Sequence, residues 1–192
     1  MSELMPYLRG EQTGKVVGIT FDDGYRNNLT EALPILKEFG FSATCYIISQ
    51  KIGGVNEWDL EKGIPENPLM DEDDIHQWID GGMEIGSHTQ NHVHLTECDT
   101  QQAEMEITQS KQDLEQLFGS TIDHFCYPWG KHTTNIAQLT KQTKYQSATT
   151  TKRGRATQAH SLHHLPRVPI SHSTLPHLFL LKVLTAYEDR RG

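Results

Sequence analysis

Short β-branched apolar runs alternate with helix-length stretches along this chain, and several of the runs end in a polar cluster. Residues 16–21 form the first run and stop at Asp22. A helix is predicted over 29–39, closed by Gly40, with Pro34 early in a turn or at a kink. Residues 43–48 read as a second, buried strand. Residues 51–68, rich in Gly, Pro and Asn, read as a long loop over one end of the domain. A helix over 71–80, acidic at its start and stopped by Gly81-Gly82, leads to a third strand at 83–87. The clearest helix is 100–118, capped by Asp99 or Thr100 and ended by Gly119. Its Ile107, Leu114 and Leu117/Phe118 recur at helical spacing and predict a core-facing stripe. Residues 125–127 are a strand end, 134–144 a helix, 147–149 and 165–170 strands, and 174–187 a closing amphipathic helix.

Repeated β-then-α units imply an α/β fold with a parallel sheet and helices outside. In such folds chemistry collects at the carboxyl ends of the strands. Asp22-Asp23, His88 and Tyr127-Pro128-Trp129-Gly130 each follow a strand directly, so they should meet at one rim although far apart in sequence. No repeat, low-complexity tract or boundary interrupts the 192 residues, which predicts one domain with its core over about 15–170 and a C-terminal helix at about 174–187.

The net charge of −8 argues against a nucleic-acid partner, which would need a basic face. Hydrophobic residues at 35% and charged residues at 22% describe a soluble globular chain. Cys45, Cys98 and Cys126 form no CxxC pair, which predicts buried thiols in a reducing compartment. Residues 1–14 carry Glu3, Arg9 and Glu11 and no apolar core of a signal peptide. Residues 175–184 are too few to span a bilayer and include Lys182. A cytoplasmic protein with no membrane partner is expected from the chain as written, and an extracytoplasmic one if a leader was removed.

Asp22-Asp23-Gly24 places two carboxylates side by side at a strand end, where they repel each other unless a cation neutralises them. Gly24 permits a sharp turn that lets the two diverge. A solvated Asp-Gly turn is the plain alternative. His88 and His92, four apart, share a face if the segment turns helically, and both rings then reach one ion. Thr89 follows His88 where a zincin needs Glu, so a metalloprotease of that kind is disfavoured. Two His and one Asp leave an open position for water, as catalytic zinc sites do. Zinc is the expected ion, and cobalt, nickel or iron suits the same donors. Asp22 is then placed to take a proton from that water. In the 125–130 segment, Pro128 and Gly130 fix a tight turn that can aim the Trp129 N–H inward as an oxyanion donor. The rings of Tyr127 and Trp129 either meet a sugar face or pack as an aromatic loop.

Thr20-Phe21-Asp22-Asp23-Gly24, then His88-Thr89 and His92, then Tyr127-Pro128-Trp129-Gly130 resemble, in that order, the polysaccharide deacetylase family. This is the NodB-homology domain of carbohydrate esterase family 4. The resemblance covers about residues 15–170 and includes Ala32-Leu33-Pro34-Ile35-Leu36 and Glu84-Ile85-Gly86-Ser87-His88. It implies a distorted (β/α) barrel, usually of seven strands. It also implies removal of N-acetyl groups from N-acetylglucosamine-type sugars by a metal-bound water. In that reading Asp22 is the base, Asp23, His88 and His92 hold one divalent metal, and the Trp129 N–H with the metal holds the oxyanion. The chain departs from the family at Cys126, where an Arg that orients the base often stands, and in the last motif, where no His matches by position. Arg167 is the candidate to replace the Arg, and His163 or His164 the candidate to supply the acid. O-deacetylation of a sugar, or a non-catalytic glycan-binding module on the same fold, are the competing functions.

Overall fold

Six strands run parallel in one curled sheet in the computed structural model, which describes residues 1–191: β1 (Ile19–Phe21), β2 (Ala43–Ile47), β3 (Glu84–Ser87), β4 (His124–Cys126), β5 (Ser147–Arg153) and β6 (Leu165–Arg167). They lie in sequence order, each paired with the next, so β1 and β6 are the two edges of a half-barrel. The (β/α) class is as expected, and the strand number is six instead of seven. After β6 the chain meets Pro169 and Pro176 within ten residues, and a ladder strand cannot carry prolines in its interior. Residues 168–175 accordingly pass into a helix.

The helices are α1 (Met5–Leu8), α2 (Leu33–Phe39), α3 (Glu57–Leu60), α4 (Glu72–Asp80), α5 (Thr100–Phe118), α6 (Thr134–Gln142) and α7 (Pro176–Leu184). Pro34 sits in the first turn of α2, and the residues before it, Asn28–Ala32, widen into a π turn. Asp71 caps α4 in a capping box with Asp74, and Asp99 caps α5 by accepting from the Gln102 N–H. The loop predicted at 51–68 contains α3, a short helix that the Gly- and Pro-rich composition hides.

The core lies between the sheet and α4–α6. Trp78, Phe125, Ile107 and Leu114 are fully buried there, whereas Tyr46, which alternates with Cys45 and Ile47 along β2, is buried on the opposite face of the sheet. Gly86 has to be glycine, because a Cβ would lie 2.6 Å from Cδ1 of Tyr46. The buried face of α5 carries Ala103, Ile107, Ser110 and Leu114, whereas Leu117 turns outward. At the other end of the sheet, Met5 and Leu8 of α1 cover Leu165.

The closing helix departs from the amphipathic expectation. Its buried residue is Lys182, whose Nζ donates to the Pro169 carbonyl at 2.6 Å and pairs with Glu188 at 3.1 Å. Leu180, Leu181 and Leu184 point out. The cysteines are free: Cys45 and Cys126 are buried and Cys98 is half-buried. Among the described residues no helix is long and apolar enough to cross a membrane.

Candidate metal and acid–base centre

Because the sheet is parallel, the residues just past β1, β3 and β4, and the last residue of β6, all stand at one rim. Asp22 continues β1, while Asp23 and Gly24 turn with φ of 73° and 76°. Asp23 therefore pays the strain of a left-handed non-glycine residue, a cost of about 1–3 kcal/mol that clusters at functional sites. Thr89, His92 and Trp129 share this conformation at the same rim. The turn sends the neighbouring carboxylates different ways: Asp22 to Arg167 and Asp23 to the histidines.

His88 and His92 meet Asp23 Oδ1 through their Nε2 atoms at 3.2 and 3.3 Å. The segment between them is not helical, contrary to the geometry invoked for the four-residue spacing. Thr89 and His92 break the helix with φ of 67° and 56°. The loop is held by side chains instead. The His92 N–H donates to Thr89 Oγ1 at 3.0 Å, and Glu106 of α5 accepts from the N–H groups of Gln90 (3.0 Å) and Asn91 (2.9 Å). Glu106 also takes the Asn91 side-chain amide at 2.8 Å. Sequence reasoning passed over this buried carboxylate. Its signal is its place on the inward face of α5, beside Ala103 and Ile107.

The donors around Asp23 suit a cation. The Asp23, His88 and His92 ligand atoms all lie within 4.8 Å of one another. His88 Nδ1 lies 2.7 Å from the Cys126 carbonyl, which only accepts, while its Nε2 faces the Asp23 carboxylate. A neutral imidazole donates from one nitrogen only, so without an ion His88 donates to both acceptors only as an imidazolium, and a cation between Nε2 and the carboxylate would take the place of that proton. A carbonyl behind the ring is also the usual support of a histidine ligand. Burial by itself would raise the Asp23 carboxyl. The hydrogen bonds from His88 and His92 outweigh it and hold the group well below the carboxylate range. Burial lowers His92, which favours the unprotonated ring a metal needs.

Arg167 approaches Asp22 with both arms, Nη1 to Oδ1 and Nη2 to Oδ2, each at 2.6 Å. Its Nε donates to the Thr150 carbonyl at 2.8 Å, and Nη2 lies 3.4 Å from Cys126 Sγ. The small Cys126 side chain leaves room for the guanidinium that comes from β6. Burial would raise the Asp22 carboxyl, and the Arg167 charge and hydrogen bonds prevail, so it stays ionised below its usual value. His163 and His164 are not brought to this group. They precede β6, at the amino end of the strand, and His163 Nε2 is engaged with the Tyr145 carbonyl at 2.8 Å.

Tyr127 also lies away from the rim. Its ring is buried against Phe125, and its hydroxyl meets Thr140 Oγ1 and the His163 carbonyl, both at 3.1 Å. Burial pushes its pKa up to about 12. A substrate-facing role for this ring is therefore withdrawn, because the strand end turns it into the core. Trp129 is half-buried at the rim, stacked on His94 with centroids 3.6 Å apart and tilted on His92 at 4.3 Å. Trp58 of α3 covers another side of His92 at 4.3 Å, and Lys62 lies 5.2 Å over Trp129. Neither the Trp58 contact from α3 nor the Lys62 contact just beyond it was legible in the irregular 51–68 segment.

Residues 9–148 match the sequence pattern of the polysaccharide deacetylase family. The Bacillus subtilis protein YxkH, which bears the polysaccharide deacetylase name, is 31% identical over 157 residues, 82% of this chain and 52% of that protein. A peptidoglycan-N-acetylglucosamine deacetylase of Bacillus cereus is 25% identical over 134 residues, 69% of this chain and 55% of the relative. The chain thus spans about half the length of the curated relatives it matches. Among solved structures, Streptococcus pyogenes deacetylase PplD in complex with acetate superposes with a TM-score of 0.81 at 26% identity, over 95% of this chain and 77% of that one. Pattern, relatives and barrel agree, and the chain belongs to the polysaccharide deacetylase family.

Proposed function

We propose that this chain is a metal-dependent hydrolase that removes N-acetyl groups from N-acetylglucosamine-type sugars or polysaccharide. The observation that carries the reading is an ionised Asp22, locked by Arg167, beside the converging Asp23, His88 and His92. Deacetylases of this family are generally metal-dependent. A divalent ion such as zinc, held by Asp23, His88 and His92, would supply Lewis-acid polarisation of a carbonyl and bring the pKa of a water to about 7.

The chain's own residues do the rest. Asp22 accepts the proton of the attacking water, using lone pairs that the Arg167 fork leaves open. Arg167 keeps that carboxylate charged and fixes its plane. The backbone N–H of Trp129 donates to the oxyanion that develops on the acetamide carbonyl. With His163 and His164 away from the rim, Asp22 returns its proton to the departing nitrogen. The C–N bond breaks, and acetate and a free amine result. The half-buried Trp129 and Trp58 offer flat apolar faces against which a sugar ring can lie. The name of the Bacillus cereus relative supports an N-acetylglucosamine substrate.

The test is acetate release from N-acetylglucosamine oligomers with zinc or cobalt added, followed by a chelator. Release that the chelator abolishes is expected. No acetate from any N- or O-acetylated glycan, despite bound metal, would favour the glycan-binding module.

A further inference from the structure

Outside the rim trio, two other histidines stand at ligand distance from each other. His132 Nε2 and His164 Nδ1 are 3.0 Å apart, with the rings nearly perpendicular at 81°. His132 Nδ1 lies 3.2 Å from the Gly130 carbonyl. A carbonyl only accepts, so Nδ1 carries the hydrogen and Nε2 presents its lone pair toward His164. A backbone carbonyl behind the ring is the support that metal-ligating histidines use. The ring is further held by stacking on Tyr127, with centroids 4.6 Å apart and planes at 17°. His164 is exposed, so its hydrogen can sit on Nε2 toward water and leave Nδ1 as a second donor.

We infer that His132 and His164 form a second metal site, separate from Asp23, His88 and His92, that takes Cu²⁺ or Ni²⁺. The donors select the ion class: imidazole nitrogens rank Cu²⁺ and Ni²⁺ above the lighter divalent ions, and two of them 3.0 Å apart can become cis ligands of one such ion with a small adjustment of the exposed His164 ring. The pair borders a cleft of about 760 Å³ that Thr133, Thr134 and Ser161 also line. At about 30 Å³ per water, that is room for the aqua ligands of a four- to six-coordinate ion. Without an ion, His164 Nδ1–H donates to His132 Nε2, and the two rings remain paired. A bound ion replaces this single hydrogen bond by two coordinate bonds. It fastens the segment after the Pro128–Gly130 turn to the residue just before β6.

Isothermal titration with Ni²⁺ tests the site in the full chain, in His164→Gln and His132→Gln, in His88→Gln, and in His177→Gln as an exposed control. The expected result is two equivalents for the parent and for His177→Gln. The His164→Gln and His132→Gln chains should each keep the rim site and weaken the other at least tenfold. His88→Gln should retain the His132–His164 equivalent, so failure of the rim reading and failure of this one are distinguishable. An isotherm for His164→Gln that matches the parent would overturn the proposal, as would a parent whose Ni²⁺ binding vanishes entirely in His88→Gln. His164 is exposed, so its substitution leaves folding intact.

Discussion

Arg167 at the end of the last strand grips Asp22 at the end of the first, with both guanidinium arms at 2.6 Å, and so ties the two edges of the half-barrel. The pair is half-buried, with Arg167 20% and Asp22 31% exposed. Bidentate charge-assisted bonds of this kind fix a carboxylate in its plane. Arg167→Gln is expected to lower kcat/KM about 10–100-fold, the size of a lost supporting contact. With its main opposing partner gone, burial would raise the Asp22 pKa. The rate needs ionised Asp22, so the acid limb of the pH–rate profile moves to higher pH. Arg167→Lys keeps the charge without the fork and should restore much of the acid limb but only part of the rate. An acid limb that stays put in Arg167→Gln contradicts the assignment.

Glu106 is the buried anchor of the His88–His92 loop. Hydrogen bonds to a charged acceptor contribute about 1.5–3 kcal/mol. Glu106→Gln should therefore reduce stability by about 2 kcal/mol in urea melts and weaken zinc binding about 10–100-fold. Lower stability with unchanged zinc affinity would leave Glu106 a purely structural residue.

His124, the first residue of β4, is a second titrating group, 1% exposed and bonded to Ser147 Oγ at 2.8 Å. Burial, above all, lowers its pKa from 6.5 to about 4. The unfolded chain takes up this proton before the folded one does. Its contribution is thus fully present above pH 6.5 and is lost as pH falls toward 4, about 3 kcal/mol in all. Glu84, held down to about 2, begins to add to the loss below its ordinary 4.5. Urea melts at pH 7 and pH 4.5 should show a smaller drop for His124→Asn than for the parent. Equal drops would mean that His124 titrates normally in the fold.

The rim was legible because strand ends in a parallel sheet share a side, so Asp22-Asp23, His88 and Trp129 could be brought together from periodicity alone. Helix α5 was read to the residue because Asp99 and Gly119 mark both its ends locally. β1, β2, β3 and β6 were read too long, and β5, read as 147–149, runs on to Arg153. Val17, 66% exposed, continues the apolar run past the point where β2 offers partners, and pairing decides strand length. The inverted α7 was not legible, since the partners that bury Lys182 are fixed only by tertiary structure. Arg167 was readable as a candidate from the missing Arg at Cys126. That β6 would deliver it to β1 depends on how far the sheet curls.

Asp22→Asn under metal saturation tests the central claim most directly. The amide keeps the shape but cannot take a proton, so acetate release from N-acetylglucosamine oligomers should fall by about 10²–10⁴-fold. Zinc stoichiometry should stay as in the parent, because Asp23, His88 and His92 are untouched. An Asp22→Asn chain that binds zinc and releases acetate at the parent rate would contradict the account.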